Sequence, residues 1–328
     1  MARFILRRIL LMIPVILGVL LIVFAVSRMS GDPVIAILGT EATEEQYQAE
    51  RERLGLDKSL PMQFLIYVKQ IVTKFDLGTS YISRQPVGKE ILRRLPISVG
   101  LALIGLSVAL VIGVTFGVLC AVNQNGKIDY IITILALICC SLPGFWVALM
   151  LIIIVAVKFG LLPPSGLDTW KHWILPCTSM ALAPLATMTR TSRSSMLEVL
   201  RQDYVCTAKS KGISRPKIIL KHALKNAMFP IITVFGSMST AMIGGAVVLE
   251  TVFQIAGVGS YLSGAISNRD FPVIQGTVFV LSLLVCFVNL LVDIAYGFAD
   301  PRIRAKYANT GKRHKKKPAA KKPVEEAA

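Results

Sequence analysis

Six long stretches of this chain carry no Asp, Glu, Lys or Arg: residues 9–27, 95–126, 130–157, 172–189, 226–249 and 271–292. Each is 18 to 32 residues long, enough for the roughly 20 apolar residues that cross a bilayer core as a helix. The pattern predicts an all-α, polytopic membrane protein with six transmembrane helices. A seventh uncharged stretch, 251–268, contains Gln254, Gly257, Gly259, Ser260, Ser263, Gly264, Ser267 and Asn268. That is too polar and glycine-rich for a lipid-facing helix, and it reads as an external loop or a short re-entrant segment. Between the first two spans, residues 28–94 have soluble character and predict a small, mostly helical external region. A polar Glu-rich piece at 41–52 is followed by a Leu54-Gly55-Leu56-Asp57 turn. In residues 62–75, Phe64, Leu65, Val68, Ile71 and Val72 recur at three- and four-residue spacing. They form one apolar face of an amphipathic helix, lying on the membrane surface or against the spans. Pro96 introduces the second span, and Pro143 and Pro184 interrupt the third and fourth, as bends around a channel or as packing kinks.

Charge changes the picture by orienting it. Only 17% of residues are charged, against about 25% in a soluble domain, and they cluster between the stretches. With the amino terminus inside, 23 of the 36 Lys and Arg fall in inside segments. The long outside segment balances its ten basic residues with nine acids. This bias predicts that both termini are cytoplasmic. Counting 251–268 as a span would put the ten basic residues of the tail outside. The net charge of +17 is therefore an orientation signal and no argument for nucleic acid. The expected divisions are residues 1–27, a cytoplasmic start and first span; 28–94, the external region; 95–299, a core of five spans containing a cytoplasmic loop at 190–225; and 300–328, a basic disordered tail facing anionic lipid. Arg3, Arg7 and Arg8 before the first apolar run resemble a signal peptide, but that run exceeds the usual 7–15 residues, and an uncleaved helix is expected. Of six cysteines, five fall in predicted spans and Cys206 in the cytoplasmic loop, so no disulfide framework is implied.

Chemistry is sparse. No phosphate-binding G-x-x-x-x-G-K-[ST] loop occurs, and the three histidines, His172, His222 and His314, lack metal-ligand spacing. No catalytic Ser-His-Asp or paired-carboxylate arrangement is present. Asp293, at the inner end of the last span, is the clear intramembrane charge, and pairing with Arg190 or Arg193 is expected, with proton coupling the alternative. The loop 190–225 is more informative. Asp203 to Ser210 reads as a helix, Gly212 as its stop, Ser214 as the next N-cap and Pro216 as a first-turn residue. Such a compact hairpin suits docking into a partner's groove; an ordinary basic loop that sets topology is the alternative.

The same loop carries a resemblance. Asp203-Tyr204-Val205-Cys206-Thr207-Ala208-Lys209-Ser210-Lys211-Gly212, then His222-Ala223-Leu224-Lys225-Asn226-Ala227, resembles the coupling loop of the dipeptide/oligopeptide/nickel group of ABC importer permeases. Further landmarks in order are Gly31-Asp32-Pro33, Asp76-Leu77-Gly78-Thr79-Ser80, Leu162-Pro163-Pro164-Ser165-Gly166, Ile174-Leu175-Pro176, Glu250-Thr251-Val252-Phe253 with Gly257-Val258-Gly259, and Asp300-Pro301-Arg302. Cys206 stands where the group usually carries Arg, and Ala256 where it carries Pro. The resemblance implies half of a translocation pathway in the bacterial inner membrane. It implies as partners a second homologous permease, two cytoplasmic ATPase subunits that use ATP and Mg, and an external binding protein. This chain would bind no cofactor and hydrolyse nothing. Asp203, Tyr204, Ala208, Lys209, Lys211 and Gly212 would be the coupling contacts. Di- or oligopeptides are the implied cargo, with nickel or another small solute as the alternative; an ion-coupled carrier or a membrane-embedded enzyme would be a different class.

Overall fold

The computed structural model describes residues 2–29, 33–39 and 42–299. Gly31-Asp32, the Asp300-Pro301-Arg302 landmark and the basic tail lie outside the described residues. The described chain is helical, with one isolated β-bridge between Thr79 and Pro86. Its elements are α1 (Ala2–Met29), α2 (Pro33–Leu38), α3 (Glu44–Arg53), α4 (Leu60–Lys74), α5 (Val87–Val122), α6 (Lys127–Ser141), α7 (Gly144–Leu151), α8 (Trp170–Leu200), α9 (Asp203–Ser210), α10 (Arg215–Lys217), α11 (Leu224–Val252), α12 (Val258–Ser267) and α13 (Phe271–Ala299). Short π-helical stretches, Ile152–Lys158 and Ile218–Ala223, continue α7 and join α10 to α11.

The long helices run alternately between two ends of a bundle. At one end, hereafter the hairpin end, Arg8 of α1 meets Asp293 of α13 at 2.9 Å, and Arg215 reaches the Val122 carbonyl closing α5 at 3.4 Å. At the far end, Asp270 before α13 takes the Ser80 hydroxyl and, at 3.1 Å, the Tyr81 N–H. Helices α5 and α8 form the centre. Their backbones approach closely because Ala109, Gly113 and Gly117 line one face of α5. A Cβ on Gly117 would stand 2.7 Å from the Thr189 carbonyl oxygen, and one on Gly113 would stand 2.6 Å from the Met188 Cβ. In lipid, where apolar surface gains nothing by leaving water, such small-residue contact drives helix pairing.

Several expectations shift. The second span begins as helix at Val87, ahead of the uncharged window, and Pro96 lies inside it. In its opening turns Arg93 and Arg94 each pair with Glu90, at 2.9 and 3.2 Å. Pro143 breaks the third uncharged stretch outright: the two helical pieces meet at 102°. Pro184 leaves α8 continuous. Among the described residues, four helices are long and apolar enough to cross a membrane, or five if the bent pair counts as one. The expected count of six therefore falls short at α8. Its buried face holds Ser179, Thr189, Ser192 and Ser195, which lower its hydropathy but face other helices.

The region between α1 and α5 follows its sequence closely. Thr43 and Gln46 close a reciprocal capping box on α3. Phe64 and Tyr67 of α4 pack on Phe24 of α1, with ring centroids 5.4 and 6.2 Å apart. The amphipathic helix thus lies against a span, while Leu65, Val72 and Phe75 remain exposed. The seventh stretch forms α12, ten residues and too short to cross. Its Val258 and Ala265 pack with Val87, Ile91 and Val273, closing the far end of the bundle.

Candidate functional site

The hairpin is built from its own side chains. Val205, Ala208 and Ile218 are buried together, with Leu200 and Ile213 against them; burying a Val or Ile side chain stabilises by about 2 kcal/mol. Helix α9 ends in a Schellman turn: the Ile213 N–H donates to the Ala208 carbonyl at 3.3 Å and the Gly212 N–H to Lys209 at 3.0 Å. The turn requires φ +73° at Gly212, where an added Cβ would meet nothing within 4 Å. Glycine is needed there for backbone conformation rather than for space. Ser214 occupies the next N-cap position without a side-chain cap bond, and Pro216 follows in the first turn.

Of the residues singled out in this loop, Asp203, Tyr204, Lys209, Lys211 and Gly212 are exposed. Ala208 is not: at 8% exposure it faces the hairpin's own core. The Tyr204 hydroxyl accepts the Asn226 side-chain amide at 2.8 Å, across the surface of the hairpin's root. Because the chain from Arg215 to Val252 is one helix of 38 residues, the hairpin is rigidly continuous with α11. A second cluster, Ala121, Met196, Ala223 and Ala227, binds the root of the hairpin to α5 and α8.

Along α11 one face stays open, and its composition is unusual for a membrane helix. Thr233, Ser237, Ala241 and Gly244 are exposed at three- and four-residue spacing, between the larger exposed Phe229 and Val248 toward either end. The open face of α8 is similar, with Thr178, Ala183, Arg190 and Ser194. By contrast α1 and α6 expose Leu10, Leu21, Ile22, Ile131 and Leu135, as a lipid-facing surface should. A groove of 450 Å³ runs between α8 and α11, lined by Ser179, Met180, Ala183, Thr187, Met238 and Gly245, and it touches Gly144 at the α6–α7 break. Small and hydroxyl-bearing side chains with adaptable thioethers can contact polar and apolar solutes alike.

The ion pairs differ from expectation. Asp293 pairs with Arg8, not with Arg190 or Arg193, because α13 runs beside α1. Arg193 instead grips Asp129 through both nitrogens, at 2.6 and 2.7 Å, and Asp129 also accepts the Asn125 N–H at 3.0 Å. This bidentate clamp fixes the start of α6 to α8. Arg190 is exposed. Sequence reasoning had a signal for these pairs: Arg8, Asp129 and Asp293 each border an uncharged stretch at the same end.

One landmark residue has a setting that the sequence did not disclose. Glu250 is 0% exposed, although it is the lone charge in residues 226–268. Its carboxylate accepts the Ser260 N–H at 3.0 Å and thereby caps α12. Its other oxygen has no partner among the described residues. A Cβ on Gly257 would stand 2.5 Å from that oxygen. The Glu250 and Gly257-Val258-Gly259 landmarks are thus two halves of one joint.

Comparison with known proteins agrees with this architecture. The family model described as "Binding-protein-dependent transport system inner membrane component" matches residues 113–305, and the model of its N-terminal region matches 1–102. The "Dipeptide transport system permease protein DppB" of Alkalihalophilus pseudofirmus is 37% identical, over 93% of this chain and 100% of its own. The "Di/tripeptide transport system permease protein DppB" of Pseudomonas aeruginosa is 39% identical, over 93% and 99%. The protein of the first name from Escherichia coli K12 is 38% identical, over 93% and 100%. An inward-facing structure of the MetNI methionine ABC transporter aligns with a TM-score of 0.54 at 15% identity, over 65% of this chain and 97% of that one; it speaks to the fold alone. The chain belongs to the inner-membrane permeases of binding-protein-dependent ABC importers.

Proposed function

We propose that this permease forms half of an import pathway for di- and oligopeptides. The carrying observation is mechanical: a self-closed hairpin is continuous with α11, whose open face carries small and polar side chains over its middle, from Thr233 to Gly244. The relatives named for dipeptide and di/tripeptide transport supply the cargo class. In this reading two ATPase subunits, which use ATP and Mg, grip the hairpin through Asp203, Tyr204, Lys209, Lys211 and the Gly212 turn. Ala208 acts from within by holding the hairpin's shape. The chain itself hydrolyses nothing. A second, homologous permease covers the open faces of α8 and α11, so that solute passes between the two. Helix α8 is the sixth crossing: its polar face is sheltered by neighbouring helices, which removes the need for high hydropathy. The hairpin end, with both termini, faces the cytoplasm, and α2–α4 face outward, where an external binding protein delivers cargo.

Reconstitution into liposomes with partner subunits tests this. Uptake of a labelled dipeptide should require ATP and binding protein. Uptake driven by an ion gradient without ATPase subunits would overturn the reading. Cysteine accessibility tests the orientation: on a Cys-free background, a cysteine at Lys209 should resist membrane-impermeant label in intact cells, and one at Arg84 should react.

A further inference from the structure

A cleft of 260 Å³ opens at the far end of the bundle, between the turn at Ser80 and Ser83, Arg94 of α5, and Tyr261, Gly264 and Asn268 around α12. Its single lining acid, Asp270, is 3% exposed. Both of its oxygens are already engaged, by the Ser80 hydroxyl and the Tyr81 N–H. What remains unengaged is mostly donors. The Arg94 guanidinium lies 4.6 Å over the Tyr261 ring. It directs Nε and Nη2 at one oxygen of Glu90, at 3.3 and 3.2 Å, which leaves Nη1 without a hydrogen bond among the described residues. The Tyr261 hydroxyl is buried and also lacks a partner there.

The rim strengthens this bias. Arg84, Arg93 and Arg269 are exposed, each next to a lining residue. With Arg94 they make four positive charges against the three formal negative charges of Glu90, Asp270 and Glu250, whose carboxylate takes the N–H of the lining Ser260. Farther out, Glu50 is held by Arg53, whose hydrogen bond keeps its carboxyl below the usual range. A planar guanidinium beside a phenolic O–H in one cleft fits a carboxylate. No residue of α8 or α11 lines the cleft, so a carboxylate seated there is not on the solute groove. It must come from something that docks on this end.

We propose that this cleft receives an acidic side chain of the external solute-binding protein, with Arg94 and Tyr261 as its contacts. The proposal rests on the importer reading and on the orientation given above.

The test uses the complete transporter in zwitterionic-lipid nanodiscs, with its solute-binding protein identified as the soluble component that stimulates its ATPase. Stimulation is followed as that protein is titrated. Arg94→Gln should raise the half-maximal concentration about tenfold and leave the saturated rate unchanged. Tyr261→Phe, which removes only a hydroxyl, should raise it severalfold and guards against misfolding of the first variant. Added salt should weaken wild type more than Arg94→Gln. Wild-type titration curves from both variants would overturn the proposal while leaving the importer function standing. An effect seen only with anionic lipid would assign the cleft to a headgroup and overturn it equally. A wild-type ATPase indifferent to any solute-binding protein would overturn the importer reading and this proposal together.

Discussion

Glu250 and Gly212 show what single residues contribute and how unevenly the sequence discloses it. Gly212 was readable: a glycine ending a short polar helix, two residues before a Ser, is a stop signal, and its φ of +73° bears this out. Since open space surrounds it, Gly212→Ala should cost about 1 kcal/mol, and Gly212→Asn less. The β-branched Gly212→Val should distort the turn and lower ATPase stimulation in the assembled transporter; equal stimulation in all three variants would refute the conformational argument. Glu250 was not readable as buried, because a charge between two uncharged windows looks like a boundary. Only the fold shows that α12 turns back and places its N-terminus on that carboxylate. Gly257→Ala should therefore destabilise by roughly 1–3 kcal/mol through overpacking. Removing the carboxylate in Glu250→Ala/Gly257→Ala should cost less than the sum of the two single changes. Thermal unfolding of the purified protein measures this, and strict additivity would contradict the joint.

At the scale of elements, hydrophobic periodicity located the helices but not their partners. It placed α4 within two residues at each end and the turn before it, since both follow from local spacing. It could not show that Asp293 meets Arg8, because which helices lie side by side is a tertiary property. Nor did uncharged length reveal the 102° bend at Pro143; a proline removes one backbone hydrogen bond, but neighbours decide whether the helix bends or breaks. The α5–α8 contact follows from small residues at four-residue spacing, a pattern visible in the sequence once those helices are known to touch. Gly117→Leu has no room beside the Thr189 carbonyl and should force α5 and α8 apart. The variant is expected to be lost from membranes or to unfold well below wild type in a thermal assay, whereas Gly244→Leu, with open space around it, should keep its stability.

For the whole molecule, the sequence carried the class and the local fold of the hairpin, because uncharged length and local turn chemistry encode them directly. The groove between α8 and α11 was beyond it: the open faces of these helices become distinct only when burial separates them from faces of similar composition. The Arg8–Asp293 pair ties the first span to the last. Asp293→Arg should weaken that tie, and Arg8→Asp/Asp293→Arg should restore it, as read from a cysteine crosslink between α1 and α13. Helix α8 has a further consequence, for biogenesis. A segment with this many hydroxyl side chains partitions poorly into lipid alone, yet it occupies the centre of the bundle. Its entry into the bilayer must then be assisted by helices already there, chiefly α5, whose glycine face shelters its polar side. The chain would not insert span by span. A nascent chain carrying a bulky residue at Gly117 should stall with α8 on the wrong side of the membrane, and quality-control proteolysis would remove it before any transport defect could be scored.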